Sequence, residues 1–263
     1  PTMINMLATS GRIQDFDVSS LKRMLYGASP MPEAVLVNAM AQMPSVSFGQ
    51  GYGQTEASPI ITALAPEYHV PGGSKLRSAG RAALGVEVVI MDKDDKELPR
   101  GEVGEICARG LNVMLGYWGM ESATNEALRS GWLHTGDLGY MDDEGFVFIV
   151  DRAKDMIISG GENIFSVEVE GAIYKHPAVQ ECAVIGIPHD AWGEAVHAIV
   201  VLREGHTARE DEIISHCRAL IAGYKVPRSI VLRAEPLPVS GAGKVLKNDL
   251  RAPYWKSKDR AVN

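Results

Sequence analysis

The sequence predicts a mixed fold, α/β in its first part and α+β in its last, from three changes of pattern along 263 residues. Residues 1–70 combine strand-like apolar runs with a helical pattern, which is typical of an α/β piece. Residues 71–151 contain short alternating runs separated by turn signals, which predicts a small, mostly antiparallel, β-barrel-like subdomain. Residues 152–263 follow the order strand, helix, strand, strand, helix, which predicts a separate α+β domain.

The α/β piece is predicted to run strand, helix, strand. Residues 21–26 are a strand that ends at a turn signal of glycine, serine and prolines. Residues 33–43 carry apolar side chains at helical spacing. A second strand begins at Val46 and runs into the glycine-rich stretch 48–59.

The later elements are predicted from alternation and from capping residues. Ser166 is expected to cap a helix over 167–175, because serine is a preferred N-cap and two glutamates follow it. The other strands and helices are predicted at 86–91, 104–109, 146–150, 179–187, 195–202 and 209–220.

Composition bounds the class of protein and its partners. Hydrophobic residues make up 46% and charged residues 22% of the chain, as in soluble globular proteins. The formal net charge of −7 argues against a nucleic-acid surface, which would need an excess of basic residues. The longest apolar runs are too short to span a bilayer. The three cysteines lack a C-x-x-C spacing, so neither a disulfide framework nor a zinc site is predicted.

The chain matches two familiar nucleotide-binding motifs in part but neither in full. The dinucleotide pattern G-x-G-x-x-G would need a glycine at position 54, where the chain has Gln54. A P-loop ending at Lys244 would need a glycine at 238 and a serine or threonine at 245, where the chain has Pro238 and Val245. What remains near Lys244 is a lysine on a glycine-flanked tip, which can approach anionic oxygens.

Six other motifs nevertheless occur along the chain in an order that is found in a known enzyme family. They are Tyr-Gly-Ala-Ser-Pro at 26–30, Gly-Tyr-Gly-Gln-Thr-Glu at 51–56, Gly-Glu-Val-Gly-Glu-Ile…Arg-Gly…Gly-Tyr at 101–117, Thr-Gly-Asp at 135–137, Asp-Arg-Ala-Lys-Asp at 151–155 and Ser-Gly-Ala-Gly-Lys at 240–244. Together they resemble the adenylate-forming enzymes, which include acyl-CoA synthetases, luciferases and the adenylation domains of peptide synthetases. The resemblance covers essentially the whole chain.

The resemblance implies a two-step reaction. A carboxylate attacks the α-phosphate of ATP to give an acyl-adenylate and pyrophosphate, and a thiol, usually coenzyme A, then displaces AMP to give a thioester. It also implies the architecture: residues 1–151 would be the C-terminal part of the large ATP/AMP-binding domain. Residues 152–263 would be a small C-terminal domain that changes orientation between the two steps.

The resemblance also implies a nucleotide site. Its residues would be Gly27, Ala28, Ser29, Gln50, Gly51, Tyr52, Gly53, Thr55, Asp137 and Arg152. In it, Tyr52 would stack on the adenine and Asp137 would accept hydrogen bonds from the ribose hydroxyls. Thr55 would touch the α-phosphate, and Glu56 would hold Mg²⁺ as a carboxylate ligand.

The remaining implied residues lie in the last domain. Lys244 would bridge the substrate carboxylate and the α-phosphate, so that Lys244, Thr55 and Glu56 form the catalytic set. Lys154 would be the hinge. Gly160 and Gly161 would border the pantetheine tunnel, where only hydrogen side chains leave room.

One departure from the family pattern matters. The loop that grips the β- and γ-phosphates should lie upstream of residues 26–30 and is absent from this chain. The chain is therefore interpreted as the C-terminal portion of a longer fatty-acid–CoA ligase, with a medium- or long-chain acid as substrate. Adenylation of an aryl acid, loading of a carrier protein and a non-catalytic AMP- or acyl-adenylate-binding module are the alternatives. A cytoplasmic setting is expected, and peripheral membrane association and a homodimer stay open.

Overall fold

The structure is a computed structural model that describes residues 1–241 and 243–256. The chain divides into two compact units that meet in the sequence between Ala153 and Lys154. The helices are α1 Thr2–Thr9, α2 Glu33–Gln42, α3 Glu121–Ala127, α4 Ser166–Ile173, α5 Glu210–Arg218 and α6 Lys247–Arg251. The strands are β1 Arg23–Gly27, β2 Ser47–Tyr52, β3 Thr62–Leu64, β4 Arg81–Ala82, β5 Val86–Met91, β6 Gly104–Gly110, β7 Leu133–Met141, β8 Val147–Arg152, β9 Ile157–Ser159, β10 Glu162–Ile164, β11 Val179–His189, β12 Gly193–Leu202 and β13 Ser229–Arg233.

The first sheet has the order β1-β2-β3-β4, with β1 and β2 parallel and the other pairs antiparallel. Helix α2 is the crossover between the two parallel strands, and it buries Leu36 and Ala39 against Phe48 of β2 in one apolar cluster. Helix α1 was not predicted from the sequence. Only Ile4 and Ala8 are buried on it, and two apolar positions are too few to define a helical period.

The second sheet belongs to the same unit and has the order β5-β6-β7-β8, with every pair antiparallel. The strands predicted at 86–91, 104–109 and 146–150 are confirmed. Strand β7 was missed because its centre, Thr135-Gly-Asp137, reads as a turn. The ladder is irregular on both sides of this strand, with register shifts between Glu105 and Cys107 and between Leu138 and Gly139. These irregularities let turn-like residues sit inside a strand.

The second unit contains the third sheet, in the order β10-β9-β12-β11, with β13 pairing in parallel with β12. Strands β11 and β12 form a long hairpin, and α4 and α5 pack with them around one apolar cluster. The predicted N-cap at Ser166 is wrong. The helix begins at Ser166, one position after the N-cap residue Phe165, and the buried Ser166 hydroxyl accepts a hydrogen bond from Lys247.

The two units together confirm the mixed α/β and α+β class. Within residues 1–241 and 243–256, none of the helices is both long and apolar enough to cross a membrane.

Candidate nucleotide site and lysine loop

The carboxyl ends of β1 and β2 bring two of the predicted motifs together. Gly27 pairs with Gly51 at the last rung of the parallel ladder, so Ala28 and Ser29 leave the sheet beside the loop that follows Tyr52. A Cβ atom at Gly27 would collide with the carbonyl oxygen of Gly51, so the close approach of the strands requires glycine there. The carboxyl ends of parallel strands are the usual ligand-binding edge of such a sheet.

A short 3₁₀ helix, Thr55–Ala57, follows this edge and carries two of the predicted catalytic residues. Thr55 is exposed and Glu56 is half-buried. The turn into this helix needs Gly53, because a Cβ atom there would collide with the carbonyl oxygen of Pro59. The tight turn therefore places a hydroxyl and a carboxylate directly after the strand end.

The segment 112–117 makes hydrogen bonds to the loop that follows Tyr52. The Tyr117 hydroxyl donates to Glu56 Oε1 at 2.7 Å, and the Asn112 amide donates to the carbonyls of Ala57 and Ile60, both at 2.9 Å. The bond to Glu56 raises the pKa of Tyr117. An oriented carboxylate oxygen is a suitable ligand for Mg²⁺. Sequence reasoning gave neither Tyr117 nor Asn112 a role, although the Gly-Tyr pair at 116–117 was part of a recognised motif.

Tyr52, Asp137 and Arg152 form a polar group that joins the first two sheets. The Tyr52 hydroxyl donates to Asp137 Oδ2 at 2.9 Å, and Arg152 Nε lies 3.3 Å from Asp137 Oδ1. Asp137 and Arg152 are paired residues of the β7–β8 ladder. The Asp137 side chain is 12% exposed and that of Arg152 is 43% exposed. Burial, and then the Asp137 charge, hold the pKa of Tyr52 well above its usual range.

A second polar group fixes the backbone just before Asp137. Glu105 Oε1 accepts from the Gly136 N–H at 2.9 Å, and Glu105 Oε2 lies 3.0 Å from Arg129 Nη2 and 2.8 Å from His134 Nδ1. Cys107 Sγ lies 3.4 Å from the same imidazole nitrogen. Glu105, Cys107 and His134 could in principle hold a metal. Because Glu105 already engages a guanidinium and a backbone N–H, we assign this group to structure.

The glycines proposed for the pantetheine tunnel lie in the second unit, in the turn between β9 and β10. Gly160 has φ +62° and Gly161 has φ +85°, a backbone region that favours glycine. A Cβ atom at Gly160 would meet Trp192 only at an ordinary contact distance of 3.8 Å, and one at Gly161 would meet nothing within 4 Å. Backbone conformation therefore accounts for both glycines inside this unit, and lack of space does not.

Lys244 lies on a tight hairpin in the second unit. Val239 and Val245 pair across it, and Ser240 N donates to the Lys244 carbonyl at 2.8 Å. The Ser240 hydroxyl accepts from Lys244 N at 3.2 Å. Ala242, at the tip of the predicted motif, lies outside the described residues. The predicted hinge residue Lys154 is exposed in the turn between β8 and β9.

The structure thus gathers the predicted nucleotide residues in the first unit. Those at the ends of β1 and β2 lie together, and the Tyr52–Asp137 bond ties them to Asp137 and Arg152 of the second sheet. The predicted lysine, hinge and tunnel residues belong to the second unit.

Comparison with known families decides the affiliation. The AMP-binding enzyme model matches residues 1–118, and the model of the AMP-binding enzyme C-terminal domain matches residues 168–244. The chain belongs to the AMP-binding, or adenylate-forming, enzyme family. This confirms the resemblance drawn from the six motifs. Each model matches one of the two regions that the motif order had distinguished.

Characterised relatives of this AMP-binding chain act on different acids. It is 43% identical over 254 residues to a feruloyl-CoA synthase of Amycolatopsis, and 38% identical over 263 residues to the fatty acid–[acyl-carrier-protein] ligase ScoC of Streptomyces coeruleorubidus. These alignments cover 97% and 100% of the chain, respectively, and 50% of each relative. The chain therefore spans about half the length of the curated relatives it matches.

Solved structures of the family agree with the fold. The amide bond synthetase McbA of Marinactinospora thermotolerans aligns with a TM-score of 0.88 at 35% identity, over 97% of this chain and 51% of the other. The anthranilate CoA ligase AuaEII, solved with anthranoyl-AMP, aligns with a TM-score of 0.87 at 31% identity, over 97% of this chain and 48% of the other.

Proposed function

We propose that the whole protein is an AMP-forming acid–thiol ligase that adenylates a carboxylic acid with ATP and transfers the acyl group to coenzyme A. The observation that carries this proposal is the Tyr52–Asp137–Arg152 group. In it, a carboxylate and a guanidinium of the second sheet lie at the end of β2, next to an aromatic residue at the carboxyl edge of the first sheet. Those three groups suit a base, a ribose and a phosphate.

The nucleotide roles follow from this placement. Asp137 accepts hydrogen bonds, so its carboxylate would bind the ribose hydroxyls, and its bonds to Tyr52 and Arg152 would keep it oriented. The backbone of Gly27, Ala28 and Ser29, with Gln50, Gly51 and Gly53, would line the adenine. Tyr52 would face the base with its ring, while its hydroxyl is already used at Asp137.

The loop after β2 would contact the phosphates. The Thr55 hydroxyl would donate to the α-phosphate. Glu56, oriented by Tyr117, would hold Mg²⁺, which neutralises phosphate charge when bound. In the first step the acid's carboxylate oxygen bonds to the α-phosphorus as pyrophosphate leaves. In the second step the thiol sulfur bonds to the acyl carbon, and AMP leaves with the electrons of the broken C–O bond.

The second unit would supply the remaining groups. The Lys244 ammonium would contact the attacking carboxylate and the α-phosphate, where its charge stabilises the negative charge of the transition state. Gly160 and Gly161 would border the path of the pantetheine thiol. Lys154 would be the hinge between the proposed domains 1–151 and 152–263, about which the second domain turns between the two steps.

A medium- or long-chain fatty acid is the first candidate substrate, and fatty-acid ligases among the relatives support it. An aryl acid of the ferulate type is the second candidate, since a feruloyl-CoA synthase is 43% identical to the chain. Transfer to a carrier protein is the alternative second step.

One experiment separates these outcomes. ATP–pyrophosphate exchange in the whole protein, measured with ferulate and with fatty acids of increasing length, would identify the acid by the greatest exchange rate. Supplying coenzyme A or a phosphopantetheinyl carrier protein would then identify the acceptor by the thioester formed. Binding of AMP by the chain with no exchange for any acid would instead identify a non-catalytic binding module.

A further inference from the structure

Helix α6, which follows the Lys244 hairpin, is held at its first residue by a largely buried ion pair. Lys247 Nζ lies 2.6 Å from Glu170 Oε1 and donates to the Ser166 hydroxyl at 2.6 Å. Both acceptors are on α4. The Lys247 and Glu170 side chains are each 14% exposed, and Glu170 Oε1 also accepts from the Val184 N–H of β11 at 2.9 Å.

The same helix is held at its last residue by a second buried ion pair. Arg251 Nη2 lies 3.1 Å from Asp155 Oδ1, with side chains 8% and 10% exposed. Between the two pairs, Leu250 packs in an apolar cluster of the second unit with Ile185 and Ile199. The five-residue helix is therefore held by an ion pair at each end in addition to its apolar contact.

The anchored end of α6 is only three residues from Lys244. Leu246 N donates to the Pro238 carbonyl at 2.8 Å, so the chain between the hairpin and Lys247 is closed by a backbone hydrogen bond. On the other side, Leu237 N donates to Glu181 Oε2 at 3.0 Å. Both stems of the hairpin are therefore attached to the third sheet or to α4.

A buried ion pair is a weak source of stability, because desolvation offsets most of the attraction between the charges. Its advantage over an apolar pair is directional: the ammonium must point at one carboxylate oxygen and one hydroxyl. Such a contact fixes the rotation and height of the α6 start relative to α4, which an apolar contact would leave adjustable.

We propose that Lys247 is a positioning residue for Lys244: through its contacts with Glu170 and Ser166 it fixes the base of the hairpin, and so the reach of the Lys244 ammonium during adenylation. This inference rests on the adenylation role proposed for Lys244. It predicts that the contact serves the first half-reaction and is dispensable for the second.

The test compares Lys247→Met, Lys247→Arg and the paired variant Lys247→Met with Glu170→Gln in the whole protein. In the paired variant no charge is left buried without a partner, so folding is preserved if charge burial is the only difficulty. Lys225→Met is the matched control, since Lys225 makes a comparable 2.7 Å pair with Glu168 on the same helix α4.

The expected result is a loss in one half-reaction only. Lys247→Met and the paired variant should lower the kcat of ATP–pyrophosphate exchange on the order of tenfold to a hundredfold, as displaced catalytic groups do. Their KM for ATP, and their thioester formation from supplied acyl-adenylate, should stay within about twofold of the parent. Lys247→Arg should recover most of the exchange, and Lys225→Met should retain it.

Two results would overturn the inference. Exchange that is unchanged in the paired variant while Lys244→Ala abolishes it would leave the proposed function standing and remove the role of Lys247. Equal losses in both half-reactions that the paired variant restores would make Lys247 a stability residue only. Unchanged exchange in Lys244→Ala would refute the role of that lysine, which is a different failure.

Discussion

The Tyr52 hydroxyl donates a 2.9 Å hydrogen bond to Asp137, a residue 85 positions later in the chain. One partner ends a strand of the first sheet, and the other lies within a strand of the second. The bond therefore ties together the two sheets of the first unit at the point where the residues proposed for the nucleotide site converge.

Tyr52→Phe should weaken both folding and nucleotide binding. The Asp137 carboxylate is nearly buried and would lose a donor, which costs about 1–3 kcal/mol of the free energy of unfolding. Binding of AMP should weaken by about tenfold for each 1.4 kcal/mol lost from the orientation of Asp137. Urea unfolding and calorimetric titration with AMP measure the two effects. Tyr140→Phe is the control, since the Tyr140 ring stacks on Phe148 outside this group.

Tyr117→Phe should raise the Mg²⁺ concentration needed for half-maximal adenylation. The variant removes the donor that orients Glu56, and for an exposed hydrogen bond the cost is about 0.5–1.5 kcal/mol. That corresponds to a rise of roughly twofold to tenfold. A Mg²⁺ titration of ATP–pyrophosphate exchange measures it. An unchanged Mg²⁺ dependence would show that Tyr117 does not orient a metal ligand.

Lys244→Ala should separate the two half-reactions. Loss of a charge that stabilises the transition state lowers the rate on the order of a hundredfold to a thousandfold, so exchange should nearly vanish. Thioester formation from supplied acyl-adenylate should be largely spared, because the lysine is assigned to the first step. Lys175→Ala, at an exposed lysine of the same unit, should change neither rate.

The second unit should lose stability below about pH 6.5 because of His197. Its imidazole is buried between the Ser229 hydroxyl at 2.7 Å and the Tyr254 hydroxyl at 3.0 Å, and burial lowers its pKa. A lowered pKa means that the unfolded chain takes up the proton first, so the stabilisation is complete above the unfolded pKa and is lost as the pH falls. The slope can reach about 1.4 kcal/mol per pH unit.

Thermal unfolding from pH 7.5 to pH 5 checks this, with His197→Gln expected to flatten the dependence. His206→Gln, at an exposed histidine, should leave the slope of the parent. The same slope in both variants would assign the acid sensitivity to other groups.

The cysteines should resist modification in the folded protein. Cys107, Cys182 and Cys217 are all buried, and burial raises the pKa of the Cys107 thiol to about 12 and that of Cys217 to about 11. Since the thiolate is the reactive form, a disulfide-exchange reagent at pH 8 should label none of the three. All three should react in denaturant, and fast labelling of the native chain would contradict the burial.

The sequence was informative where a property is local. Helix α2 was predicted almost to the residue because its apolar period is regular and Pro44 ends it. The six motifs identified the family because each is a contiguous run. Contacts between distant segments were out of reach: nothing in the sequence pairs Tyr52 with Asp137, or Tyr117 with Glu56, because the register of separate sheets decides which side chains meet.

The failure at Ser166 has a similar cause. Serine before a helical pattern is usually an N-cap, and the local sequence gives no sign of Lys247, which lies 81 residues away and donates to the Ser166 hydroxyl. Strand β7 was missed for the opposite reason. Its turn-like centre is accommodated by the register shifts on both sides of the strand, and Glu105, on the neighbouring strand, accepts the Gly136 N–H.

The ladder pair of Asp137 with Arg152 also sets a rule for exchanging domains with relatives. Arg152 is the final residue of β8, and the second unit begins two positions later. A crossover placed before Arg152 would pair the Asp137 carboxylate of one parent with a residue 152 from the other parent. A crossover after Ala153 keeps Asp137 and Arg152 from the same parent, so hybrid proteins joined there should keep the parental nucleotide affinity even when the donor of the second unit differs widely.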